Sequence, residues 1–274
     1  MPTTSIGPGP AAVDYTSLSK SQLYFSFFLV TSLFFLWRLS YGLLDVLNKH
    51  FLTVFGLTKT KSTLLQFAYF VSYLAVAPPM GVFMRRYGYK KGIHIGLGLF
   101  SIGAVLFCPA AKFEQYSYGV FVAFTLVSAS GIATLETAAN SYITILGPPS
   151  HAVMRLTLAQ AFNGIATVIS PQIAANTFFN GDNQNNLGNT VQYLYLAFAC
   201  FSAVLNVGTA FATLLEVKQA VSEDQEERVA KQSIWKQYHT LFGAAAQSFY
   251  VGAQVAVTSF TIFYITEQPG ICHT

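Results

Sequence analysis

Charge is scarce in this sequence: only 9% of its 274 residues are Asp, Glu, Lys or Arg, against about 25% in ordinary soluble domains. That scarcity excludes a water-soluble globule. The 15 Lys and Arg outnumber the 11 Asp and Glu only slightly, and they form no run able to track a phosphate backbone, so nucleic acid is not an expected partner. Cysteine is equally rare. Cys108, Cys200 and Cys272 stand alone, without a CxxC pair or a histidine at ligand spacing, which indicates neither a disulfide framework nor a metal site and leaves three small packing residues. Catalytic patterns are missing as well: no Ser/His/Asp set, metal cluster or glycine-rich phosphate loop emerges. His50, His94, His151, His239 and His273 are scattered near the ends of apolar runs. Neither an enzyme nor a resident cofactor is expected.

What abounds is apolar surface. Hydrophobic residues make up 53% of the chain and aromatics 15%, enough for roughly six or seven bilayer crossings of about 20 residues each. Apolar spans run over 22–47, 63–84, 92–111, 117–146, 152–179, 190–215 and 241–265, all rich in Gly, Ala and Ser. Small residues of this kind suit helices that approach closely in lipid. Residues 1–21 are polar, carry Pro and Gly, and lack a signal-peptide pattern, so they read as a disordered cytoplasmic tail. With the N-terminus inside, ten basic residues (Lys20, Arg85, Arg86, Lys90, Lys91, Arg155, Lys218, Arg228, Lys231 and Lys236) face the cytoplasm. Four (Lys49, Lys59, Lys61 and Lys112) face out, and Arg38 lies within a span. That bias predicts a cytoplasmic N-terminus. The charged stretch SEDQEERVAKQ sits in the longest polar interval. A boundary is therefore expected there: a six-helix domain over 22–215, a cytoplasmic linker over 216–240, and over 241–274 the first helix of an incomplete second domain.

Acids inside the spans are the informative residues, because an ionisable group at bilayer depth is costly and usually faces a cavity or a partner. Two qualify, Asp45 in the first span and Glu136 in the fourth. These are corresponding helices if the six spans are two triplets of inverted topology, a placement that predicts one cavity lined by both. Asp45 could instead snorkel to the outer interface beside Lys49 and His50. Asn140 follows Glu136 by one turn and shares its face. Gln160 and Asn163 share a face of the fifth span, and Gln66 lies in the second. Interhelical hydrogen bonding is the plainer role for these amides. Together with Phe67, Tyr69, Tyr73 and Tyr142 they also make a chemically sensible sugar site, with donors and acceptors for hydroxyls and flat rings for the sugar's C–H face.

The segments FFLWRLSYGLLDVLNKHF (34–51), QFAYFVSYLAVAPPMGVFMRRYGYKKG (66–92), LETAANSYITILGP (135–148), RLTLAQAFNG (155–164) and FYVGAQVAVTSF (249–260) resemble the fucose permease family of the major facilitator superfamily, in a fungal-type form. The resemblance implies an all-α membrane fold: an N-terminal six-helix bundle of 3+3 inverted repeats plus a seventh helix. It further implies import of L-fucose or another hexose by alternating access, with the proton as coupling ion, no other cofactor, and the plasma membrane as location. Asp45 and Glu136 then match the family's proton-coupling acids. Glu136, Asn140, Gln160, Asn163 and Gln66 would contact the sugar. Gly81, Arg85, Arg86, Gly88 and Lys90 match its conformational motif, with Arg85 where an Asp is usual. The partners implied are a monosaccharide and the bilayer, around a monomeric carrier.

Two substitutions depart from the pattern. Arg38 replaces a small residue and returns to nearly the face of Asp45, about 10 Å along the axis, where a fixed cation would favour the ionised acid and oppose proton loading. Ser141 stands where a Pro is common. The closing residues 267–274 read like a frameshifted or misspliced end, so a truncated form that does not transport by itself is expected. The alternatives are a non-transporting sugar sensor or an inactive fragment, either able to associate with a full-length sibling. A seven-helix receptor or retinal protein is disfavoured by the charge bias and by the absence of Lys from 241–265.

Overall fold

A computed structural model describes residues 19–54, 59–110, 118–178, 187–212, 214 and 238–267. No strand occurs among these residues. They form α1 (Lys20–Val54), α2 (Lys59–Tyr87), α3 (Tyr89–Ala110), α4 (Tyr118–Ile145), α5 (Ala152–Phe178), α6 (Leu187–Phe211) and α7 (Tyr238–Glu267), with one short 3-10 turn at Pro149–His151. The chain divides into two compact units, Met1–Gln219 and Ala220–Thr274. The second contributes α7, and α1–α6 are the α-helices among the described residues of the first. Most of the tail and nearly all of the linker read from the sequence lie outside the described residues.

Six helices of the first unit are long and apolar enough to cross a membrane, and the protein is an integral membrane protein. The helices outrun the apolar windows because interfacial polar residues extend them. At α1 the cause is local: Ser19 is the N-cap of an S-x-x-Q box. Its backbone N–H donates to Gln22 Oε1 at 3.0 Å, while its carbonyl accepts from Leu23 N at 3.0 Å. The helix therefore starts at Lys20, inside the stretch 1–21 expected to be disordered. Pro78 and Pro79 lie within α2 and Pro171 within α5, as neighbouring helices allow in a membrane.

Packing is pairwise. α3 lies against α4 and α6, α1 against α5, and α2 against α4. Exchange of the two triplets turns the α1–α5 contact into the α4–α2 contact, the relationship that inverted repeats produce. The α3–α4 crossing is the tightest. A Cβ on Gly131 would strike the backbone N of Phe100 and come within 2.8 Å of the Gly96 carbonyl, and one on Gly103 would strike Ser128. Glycine is what lets these backbones meet. Between α2 and α3 a single residue turns the chain. Gly88 does so at φ 95°, and its N–H returns to the Met84 carbonyl at 2.9 Å, the left-handed helix cap that glycine supplies without strain.

Candidate functional site

Four helices, α1, α2, α4 and α5, contribute to a chain of polar and aromatic contacts. Glu136 lies on α4, half-buried between fully buried neighbours Leu135 and Ala138. An acid survives there only with partners. Tyr73 on α2 provides one, close enough for its hydroxyl to act on the Glu136 carboxyl group. Behind it the Tyr69 hydroxyl lies 3.1 Å from that of Tyr73, one turn earlier on the same face. Either hydroxyl can be the donor in this pair. The Tyr69 ring in turn packs on Tyr41 of α1, centroids 5.2 Å apart.

Arg38 closes the chain toward α5. Its Nε–H donates to Thr167 Oγ1 at 2.8 Å, and its guanidinium carbon lies 5.3 Å from the centroid of Tyr41. Thr167 passes its own proton to the Asn163 carbonyl at 3.0 Å. The Arg38 charge is felt at Glu136, yet no ion pair holds the guanidinium among the described residues. Next along the α4–α5 interface, Gln160 Nε2 donates to Asn140 Oδ1 at 3.5 Å. Gln66 is half-buried on the face of α2 that carries Tyr69 and Tyr73.

The structure therefore brings Glu136, Tyr69, Tyr73 and Arg38 into one network and joins Asn140 to Gln160 beside it. Asp45 lies on α1, seven residues beyond Arg38, but its side chain is outside the described residues. Two aromatics read as sugar-facing are elsewhere. Tyr142 is fully buried and packs edge-on against Tyr89 at 6.0 Å, because α4 turns that face into the bundle core. Phe67 is 63% exposed, on the far side of α2 from the network.

The motif residues lie at the α2–α3 end. Arg85, Gly81 and Pro78 line a cavity of about 310 Å³ with Tyr89, Thr137 and Ser141. Arg86 sits over the Tyr87 ring at 5.6 Å. Lys90 points away, capping α6 by donating to the carbonyls of Ala210 and Ala212 at 2.9 and 3.0 Å, where cations suit a helix C-terminus.

Sequence reasoning missed Arg155, which clamps the end of α4. Its guanidinium donates to the carbonyls of Ile143, Thr144 and Pro148 at 3.2, 2.8 and 2.9 Å. It also missed His94, whose Nδ1 lies 2.6 Å from Asn206 Oδ1 and ties α3 to α6. The signal for Arg155 was a lone basic residue just past a Gly-Pro-Pro break.

The sequence pattern of the Major Facilitator Superfamily matches residues 24–271. A glucose/galactose transporter of Brucella abortus is 36% identical over 92% of this chain and 61% of its own length. An L-fucose-proton symporter of Escherichia coli is 32% identical over 95% of this chain and 64% of its own. The crystal structure of a Major Facilitator Superfamily transporter, FucP, in the outward conformation superposes with a TM-score of 0.69 at 31% identity, covering 91% of this chain and 65% of that one. The chain thus spans about three-fifths of the length of the curated relatives it matches.

Proposed function

Because the chain belongs to the Major Facilitator Superfamily, we propose that the protein it represents carries a monosaccharide of the hexose class across the membrane, driven by a proton and using alternating access. The observation that carries this reading is Glu136, an acid half-buried within the apolar α4, on the helix that also carries Asn140 of the Asn140–Gln160 pair. Carboxylate, amides and phenols together can bind hydroxyls from several sides. A carboxyl group at this depth can take up and lose a proton as water reaches it and leaves it, and coupling requires only that sugar and proton favour the same conformer. Asp45 is the second proton site in this reading, toward the outer end of α1. Gln66 and Asn163 complete the sugar contacts.

Residues 22–215 form the six-helix domain of this carrier, 216–240 its cytoplasmic linker, and 241–274 enter a second domain. The ten-to-four bias of basic residues supports a cytoplasmic N-terminus, and the plasma membrane is the proposed location. Uptake of radiolabelled glucose, galactose and L-fucose into vesicles, with and without an inward proton gradient and with the chain joined to the remaining helices of a relative, tests the reading. Gradient-driven accumulation that Glu136→Gln abolishes is the expected result. Accumulation indifferent to the gradient would overturn the coupling, and binding without uptake would point to a sensor.

A further inference from the structure

Arg38 is the least explained charge in the bundle. It is half-buried on α1, in the part of the helix that is apolar enough to span a membrane. A guanidinium at such depth is expensive unless a counter-charge or hydrogen bonds replace its water. Thr167 takes Nε and the Tyr41 ring takes one face. Among the described residues no other hydrogen bond and no ion pair engages the group, so its two terminal amino groups keep their donors. Glu136 is within electrostatic reach, but the two form no ion pair among the described residues. The Nε–Thr167 bond fixes the plane of the guanidinium, and a planar fork of two amino groups matches a carboxylate in a bidentate pair.

A neutral sugar would leave this cation as it found it. A sugar bearing a carboxylate would neutralise it in a half-buried setting, where a charge pair is worth more than in water. We infer that the site built around Glu136 takes a monosaccharide carrying a carboxylate, a hexuronate, with Arg38 receiving the acid group and Glu136, Asn140 and Gln160 receiving hydroxyls. This specificity rests on the proposed sugar site and narrows it.

The test is binding to the full chain in lipid nanodiscs, followed by calorimetry and by the fluorescence of Trp37, the residue before Arg38. D-galacturonate is compared with D-galactose, and D-glucuronate with D-glucose. Each uronate should bind about tenfold or more tightly than its neutral parent, about 1.4 kcal/mol. Arg38→Gln should bring the ratio to about one, and Arg38→Lys should keep part of it, since an ammonium retains charge but not the fork. Thermal unfolding of each variant separates lost recognition from lost fold. Galactose binding as tightly as galacturonate overturns the inference and leaves the sugar site standing, as does a uronate preference that survives Arg38→Gln. Failure of every sugar to bind overturns both.

Discussion

The hydroxyls of Tyr69 and Tyr73 lie 3.1 Å apart, and Tyr73 is close enough to act on the Glu136 carboxyl group. Order along this line makes a prediction. Tyr73→Phe removes the hydroxyl nearest the carboxyl group, a polar contact worth about 0.5–1.5 kcal/mol, and should lower proton-driven uptake by roughly two- to tenfold. Tyr69→Phe removes only the hydroxyl behind it and should cost less. Initial uptake rates under a fixed proton gradient give the ranking. A larger loss for Tyr69→Phe would mean that the tyrosines act through packing, not through the carboxylate.

The glycines of α3 and α4 differ sharply in what surrounds them. A methyl on Gly131 has the backbone of Phe100 and the Gly96 carbonyl in its way, whereas nothing lies within 4 Å of a methyl on Gly98. Backbone cannot swing aside like the end of a side chain. Gly131→Ala should therefore destabilise the bundle by about 1–3 kcal/mol. Gly98→Ala should be neutral, or stabilising by up to about 1 kcal/mol through helix propensity. Unfolding of both variants in detergent micelles checks the contrast, and equal midpoints would refute the close crossing.

Arg155 gathers three carbonyls from the end of α4 and the turn after it. Without it these acceptors lose their partners just where α4 gives way to Gly147, itself at φ 113°. Arg155→Ala should raise hydrogen exchange over residues 143–148 and cost about 1.5–3 kcal/mol. Arg155→Lys should recover little, because one ammonium cannot span three carbonyls set around a fork. Exchange unchanged in that segment would remove Arg155 from its structural role.

These residues mark what can be read from a sequence of this kind. The helices were legible because lipid demands about 20 apolar residues per crossing, a signal that Gly or Pro within a span does not erase. Glu136 was legible for the opposite reason, as an acid where none is expected. Asn140 and Gln160 followed from helical spacing on their own elements, though only coordinates join them. Tyr142 could not be told from a cavity-facing ring because α4 is apolar on most faces, so periodicity does not separate the core side from the cavity side. Arg155 escaped, and the α6 contacts of Lys90 with it, because each side chain ends on backbone carbonyls, of α6 in one case and at the end of α4 in the other, and carbonyls leave no trace in residue identity.

Thr167 holds the direction of Arg38, since one hydroxyl both accepts from the guanidinium at 2.8 Å and donates to Asn163 at 3.0 Å. Valine has the same shape without the hydroxyl, so Thr167→Val isolates the hydrogen bonds from the packing of α1 on α5. The lost bond to a charged donor is worth about 1.5–3 kcal/mol. Part of that returns if the guanidinium finds water, so a net loss of about 1–2 kcal/mol in bundle stability is expected. Thr167→Ser keeps both bonds and gives up one methyl, which should cost about 1 kcal/mol or less. The two variants therefore rank in opposite orders under the two explanations. If Arg38 is held by the hydroxyl, the valine variant unfolds first in a micelle titration. If α5 merely needs a branched side chain against α1, the serine variant does.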